Sequence, residues 1–260
     1  GEKEPMCELL GLSFNQPVRP SLSFRGFRHR GTHNPHGWGV ARFDGRACQV
    51  FKEPVSARTS KLATFLRDYE PFVSKIFIGH VRYASRGDHT PQNTHPFVRT
   101  FRSREVALAH NGTVELEPVM PRHRSKFHPV GETDSEYLLC ALLTVLSEQR
   151  MDFTDFECIE QSLRGFNAQG TMNLLFSEGV YLYAYRDEGG YNGLCVTERA
   201  APFDRVSLRD EDWMVDLAAE KRHDQRGVVI ATRPLTDEKW NDLALGCLRV
   251  FKDGECVYGG

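Results

Sequence analysis

Four short stretches of this chain hold polar side chains that could do chemistry together. "PMCELLG" carries Cys7, a nucleophile once something takes its proton. "IGHVRYASRGD" puts Arg82 inside an apolar run, where an unpaired charge is costly and a guanidinium fork matches a carboxylate bidentately. "ALAHNGTV" ends a buried run in Asn111-Gly112, which can aim a side-chain amide and a backbone N–H at one point and so hold an oxyanion. "PVGETDSE" puts Asp134 in the first turn of a helix, where a carboxylate is favoured and could take an ammonium. Singly, each has a plainer explanation: a buried core cysteine, an internal ion pair, an Asn-Gly turn and helix capping. Together they make a clamp for an α-amino acid, with Arg82 for its carboxylate and Asp134 for its amine. Asn111 and Gly112 then face the side-chain carbonyl that Cys7 attacks.

The elements that must position these groups are strand-rich. Alternating runs flank Asp44-Gly45, Glu178-Gly179 and Asp253-Gly254, three hairpin signals. "KIFIGHVRYAS", "EVALAHNG" and "GVVIATRPL" read as buried strands ending in polar residues. "TSKLATFLRDY" places Leu62, Phe65, Leu66 and Tyr69 on one helix face. "TDSEYLLCALLTVLSEQ" opens with Thr133 as N-cap and Glu136 three residues on, a capping box, and "TDFECIEQSLRGF" repeats the pattern with Thr154 and Glu157. Hairpins with a few helices predict an α+β fold of mixed, mainly antiparallel sheets covered by helices. The phosphate-loop patterns GxGxxG and GxxxxGK[ST] are both missing from the sequence.

Composition narrows the classes. With 260 residues the chain can bury a core without staples. Lys and Arg number 33 against 35 Asp and Glu, so no global field favours nucleic acid or an anionic membrane, and neither is expected as a partner. The seven cysteines form no C-x-x-C pair, which disfavours zinc ribbons and dithiol redox motifs and fits a reduced, cytoplasmic setting. His29, His33 and His36 could pass for a metal cluster, but Gly31 and Pro35 break any helix that would align them, so no metal or other cofactor is expected. His80, His95 and His110 each adjoin a site segment and are expected to hydrogen-bond there. Trp38, between Gly37 and Gly39, is expected to pack near the nucleophile.

"MCELLG", "RGFRHRG", "HGWGVARF", "IGHVRYASRG", "NTHPF", "AHNGTV" and "GETDSE" occur in the order seen in class II glutamine amidotransferases, the N-terminal-nucleophile (Ntn) type. The chain resembles that family from Met6 onward, most of all its small stand-alone type-2 members. Their relatives include γ-glutamyl hydrolases of ergothioneine synthesis and glutathione breakdown. The resemblance implies a four-layer αββα sandwich. It implies Cys7 as nucleophile, Asn111 and Gly112 as oxyanion donors, and Arg82 and Asp134 on the α-carboxylate and α-amine. Ser85 stands where many members have Thr and would touch the carboxylate; Arg86 stands where larger members often have His and takes no role.

It also implies a base. The free α-amine of an N-terminal Cys7 accepts the thiol proton, the thiolate attacks the glutamine δ-amide, ammonia leaves, and water hydrolyses the thioester. Residues 1–6 are then a leader, tag remnant or propeptide, and 7–260 the amidotransferase domain. Glutamine, or another γ-glutamyl small molecule, is the expected substrate, with the ammonia released or passed to a separate synthase. The rival class is a non-catalytic binding module that keeps the fold with a blocked nucleophile.

Overall fold

The computed structural model describes residues 7–30, 35–83, 88–210 and 214–260. Ser85, Arg86, His33 and the expected leader lie outside them. In chain order the elements are β1 (Glu8–Val18), α1 (Ser21–His29), β2 (Trp38–Asp44), β3 (Ala47–Glu53), α2 (Lys61–Asp68), β4 (Ser74–Val81), β5 (Phe97–Phe101) and β6 (Arg104–Val114). There follow α3 (Asp134–Glu148), α4 (Phe156–Asn167), β7 (Gly170–Ser177), β8 (Leu182–Tyr185), β9 (Cys195–Arg199), β10 (Arg205–Ser207), β11 (Met214–Asp216) and α5 (Leu217–Glu220). β12 (Gly227–Ala231), β13 (Asn241–Asp242), β14 (Leu248–Lys252) and β15 (Glu255–Tyr258) complete the chain.

Two antiparallel sheets carry the fold. One is seven-stranded in the order β13-β9-β12-β1-β4-β2-β3, with β1 at its centre. The other is six-stranded, β15-β14-β8-β7-β6-β5. Strand alternation explains the layering, since successive side chains leave opposite faces. On β1, Leu10, Leu12 and Phe14 join a core with Phe24 and Phe27 of α1 and Ala63 and Leu66 of α2. On β6, Val106 and Leu108 join a second core under α3 and α4. Between the sheets, Leu9, Ile76 and Ile78 meet Ala107, Ala109 and Leu175. Three apolar layers between four layers of structure make this an αββα sandwich.

All three expected hairpins form. Gly45, Gly179 and Gly254 sit at φ +60°, +93° and +78°, a region that glycine enters without a Cβ clash. α3 begins at Asp134, with Thr133 Oγ1 accepting from Glu136 N at 3.2 Å. The Glu136 carboxylate does not close the capping box; it takes Val130 N, Gly131 N and Arg99 instead. For α4 the expected cap moves by one residue: Asp155, not Thr154, is the N-cap. On α2, Leu66 is buried and Leu62 packs against the same core, whereas Phe65 and Tyr69 are exposed and stack on each other at 5.0 Å.

The β7–β8 turn buries an acid. Glu178 is 2 % exposed; Oε1 accepts from Tyr181 N at 3.3 Å, and Oε2 has no partner. Burial pushes its carboxyl from 4.5 up to about 7. Between those values the folded chain holds a proton that the unfolded chain has released, so stability falls as pH rises. Glu178→Gln removes this dependence. The stability difference between variant and wild type, from urea unfolding, should move in favour of Gln by about 2 kcal/mol between pH 5 and pH 8. A flat difference would mean Glu178 is ionised throughout.

Candidate active site

The site forms where the apolar stripes between the sheets run out into polar residues. On β4 the stripe Ile76, Ile78 continues to His80; on β6 Ala107, Ala109 continues to Asn111; on β7 Leu175 adjoins Asn173. His80, Asn111 and Asn173 are each at most 1 % exposed. Buried polar groups need hydrogen-bond partners: His80 and Asn111 pair with each other, and Asn173 with the backbone of Tyr191 and Asp187.

Cys7 directly precedes β1. The antiparallel register Glu8↔Val81 places it across from Arg82. Tyr83 brackets the sulfur, its N–H donating to Sγ at 3.2 Å and its carbonyl accepting from the thiol at 3.3 Å. Burial pushes the thiol from 9.0 up to about 11; the Tyr83 backbone and the Arg82 guanidinium oppose this, and the Glu8 carboxylate adds to it. The half-buried thiol is therefore almost wholly protonated at neutral pH.

The Cys7 carbonyl takes two side-chain amides, Asn111 Nδ2 at 2.7 Å and Asn192 Nδ2 at 2.9 Å. Asn111 Nδ2 also lies 3.3 Å from Thr232 Oγ1, which accepts from Leu9 N at 2.8 Å. Asn192 comes from the loop after β8, at φ +57°. Asp187 pins that loop: Oδ2 accepts from Tyr191 N, and Oδ1 from Met172 N and Asn167 Nδ2. Sequence reasoning missed Asn192, because "YNG" reads as an ordinary turn and its partner lies 185 residues away.

Gly112 is no hairpin turn. It lies within β6 opposite Met172, at φ +136°, and a Cβ there would sit 2.0 Å from the Thr171 carbonyl. One residue before it, His110 hydrogen-bonds Ser135 Oγ at 2.9 Å and the Thr171 carbonyl at 3.2 Å. Asp134, at the start of α3, accepts from Val114 N through Oδ2 at 2.9 Å, tying the helix to the end of β6. With Thr113, Glu132 and Tyr137 it lines a cavity of about 320 Å³. Cys7, Arg82 and Asn111 are outside that lining. The structure thus joins Cys7, Arg82 and Asn111 directly, and connects Asp134 to them along β6.

Arg82 is 4 % exposed; its Nη1 donates to the Asp88 carbonyl at 3.3 Å. Its backbone pairs with Gly37 and His36. Behind Cys7, buried Glu8 bridges Arg30 at 3.0 Å and Arg233 at 2.6 Å, and Arg30 also reaches Asp210 at 2.9 Å. A buried carboxylate between two guanidiniums fixes the head of β1. Trp38 is fully buried and meets Phe24 edge-on, and Gly39 leaves room for the His95 carbonyl, which a Cβ would meet at 2.1 Å. Among the described residues no group of three or more His, Cys, Asp or Glu could hold a metal ion. Among them, too, no helix is long and apolar enough to cross a membrane.

The two antiparallel sheets and their covering helices form the Ntn-type amidotransferase fold. The chain belongs to the class II glutamine amidotransferases, whose family model matches residues 6–259. It is 40 % identical over 259 residues to an uncharacterized protein of Methanocaldococcus jannaschii, covering 97 % of this chain and 71 % of that one. It is 37 % identical over 262 residues to the Escherichia coli protein YafJ, whose name provisionally places it among the glutamine amidotransferases; the match covers 97 % of this chain and 100 % of YafJ. A predicted glutamine amidotransferase from Pseudomonas aeruginosa superposes with a TM-score of 0.70 at 31 % identity, over 96 % of this chain and 99 % of that one. The phosphoribosylpyrophosphate amidotransferase of B. subtilis shares the fold at a TM-score of 0.68 and 18 % identity, with this chain covering 48 % of it.

Proposed function

We propose that the protein hydrolyses the side-chain amide of glutamine through a thioester on Cys7. The observation that carries this reading is the Cys7 thiol at the head of the central strand, opposite Arg82 and with the Asn111 amide on its own carbonyl. Once residues 1–6 are gone, the α-amine of Cys7 is the base. An α-amine, with an ordinary pKa of ~8, can accept the thiol proton; burial of Cys7 opposes the transfer, and the Tyr83 backbone and the Arg82 guanidinium favour the thiolate it leaves. The thiolate attacks the δ-carbon and the carbonyl electrons move to oxygen, where the Gly112 N–H and Asn111 Nδ2, the latter on giving up its 3.3 Å contact to Thr232 Oγ1, receive the charge. The ammonium proton returns to the leaving nitrogen and ammonia departs. Water then adds to the thioester, releasing glutamate and regenerating the thiol. Arg82 holds the α-carboxylate and Asp134 the α-amine, with Ser85 beside the carboxylate.

The clamp is tested by Arg82→Ala and Asp134→Ala in the chain that begins at Cys7. Each substitution removes a charge-assisted contact of roughly 1.5–3 kcal/mol, so kcat/KM for glutamine should fall about ten- to over a hundredfold, mainly through KM. The readout is glutamate release. Unchanged kcat/KM in both variants removes the clamp. No glutamate from the wild-type chain removes the glutaminase reading and leaves a γ-glutamyl compound or a binding role. A separate synthase as ammonia acceptor would be detected by co-purification from the host.

A further inference from the structure

His80 and Asn111 face each other between the sheets, His80 Nε2 lying 3.1 Å from Asn111 Oδ1. Their approach is a product of two alternating stripes. Ile76, Ile78 and His80 share one face of β4; Ala107, Ala109 and Asn111 share the facing side of β6, where the alanines let the sheets come close. His80 is fully buried, and burial pushes its imidazole down to about 3, so the ring is neutral and carries one N–H.

A neutral imidazole and a primary amide can be arranged in four ways, and the surroundings choose one. Flipping the amide would set Asn111 Oδ1 against the Cys7 carbonyl, acceptor on acceptor, at the place of the 2.7 Å contact. With the amide unflipped, a proton on His80 Nδ1 would leave two lone pairs facing across the 3.1 Å gap and an N–H with no partner, since Nδ1 has none. What remains is His80 Nε2–H donating to Oδ1, with Nδ2 turned to Cys7. His95 stacks on the His80 ring at 4.0 Å and 25°, and neither of its nitrogens has a hydrogen-bond partner. It therefore holds the ring by contact and offers no competing bond.

We infer that His80 is a positioning residue: by donating to Asn111 Oδ1 it locks the amide with Nδ2 toward Cys7, and so aims the oxyanion donor. This rests on the role proposed above for Asn111. Without His80 the buried Oδ1 loses its donor, and the amide leaves this pose to find another partner.

The test uses the chain that begins at Cys7, with His80→Leu, His80→Asn and His80→Gln. A glutamine amide can stand where Nε2 stood; an asparagine amide stops short, and gives a polar variant should leucine unfold the protein. Expected for Leu and Asn is a kcat for glutamine lowered on the order of ten- to a hundredfold with KM nearly unchanged, and for Gln a recovery of most of that loss. The second readout needs no turnover: hydrogen exchange of the Asn111 side-chain amide by ¹⁵N NMR. It should be slow in wild type and Gln, and at least about tenfold faster in Leu or Asn. Equal protection in all four proteins overturns the inference, as does an unchanged kcat or a change confined to KM. Should the wild type release no glutamate, the proposed reaction fails and the exchange rates still decide whether His80 locks the amide.

Discussion

Removing residues 1–6 so that Cys7 begins the chain is expected to raise glutamine hydrolysis at pH 7.5 on the order of 10²–10⁴-fold, the contribution of a positioned general base. In the extended chain the α-nitrogen of Cys7 is an amide and cannot take a proton. Burial then leaves the thiol with a pKa of about 11, so about 0.03 % is thiolate at pH 7.5. Among the described residues, the sulfur's hydrogen-bond partners are backbone groups of Tyr83 and supply no base. A free amine supplies one, directly or through one water. The pH dependence separates the two forms. Alkylation of Cys7 in the extended chain should climb with a midpoint of about 11, whereas kcat/KM of the trimmed chain should rise through the amine's range at ~8. Cys7→Ala should fall to background with the fold kept, and Cys7→Ser should retain little, a hydroxyl being the poorer nucleophile. A glutamine-analogue electrophile should label Cys7 in the trimmed form. Equal rates in trimmed and extended chains would refute the amine's role, and labelling at Cys48, Cys140, Cys158, Cys195, Cys247 or Cys256 would refute Cys7.

Gly112→Ala should lower both stability and turnover. At φ +136° an L side chain is strained, and the added Cβ would sit 2.0 Å from the Thr171 carbonyl and 3.0 Å from His110 Nε2. The β6–β7 ladder would have to open beside the thiol. The strain costs roughly 1–3 kcal/mol of stability, and displacing one oxyanion donor costs on the order of 10²–10³ in kcat. Urea unfolding and glutamate release from the trimmed chain measure the two separately. As a control, Gly45→Ala puts a methyl in the β2–β3 turn at φ +60°, with no atom within 4 Å. It should lose stability and keep kcat. If Gly112→Ala also keeps kcat, the backbone N–H of Gly112 is not an oxyanion donor.

Much of the architecture was legible in local pattern. The hairpins at Asp44-Gly45, Glu178-Gly179 and Asp253-Gly254 form, because the positive φ of the turn is a property of two residues. Cys7 directly precedes the central strand, and Asp134 opens α3 behind its Thr133 cap. Local pattern failed where two local solutions compete. The N-cap position of α4 falls on Asp155, not Thr154, and the Asp155 carboxylate accepts from Asp152 N rather than from the helix. Phe65 and Tyr69 fit a helical stripe, yet the core beneath α2 is filled by Ala63 and Leu66, so the two rings stack outside.

What the sequence determined by itself was the set of elements, and the ordered residues that mark the family, since periodicity, turn chemistry and capping act over a few residues. The tertiary structure decided the partners. Asn111 had the look of a turn, and became the link between Cys7, Thr232 and His80. Asn192 gave no signal, and reaches the same carbonyl from 185 residues away. Glu8 is the carboxylate between Arg30 and Arg233, the latter 225 residues away. The physical reason is common to all three. A strand's alternation says which face a side chain leaves by, whereas the partner it meets there is set by register across the sheet and by how two sheets stack, both of which depend on contacts between distant parts of the chain.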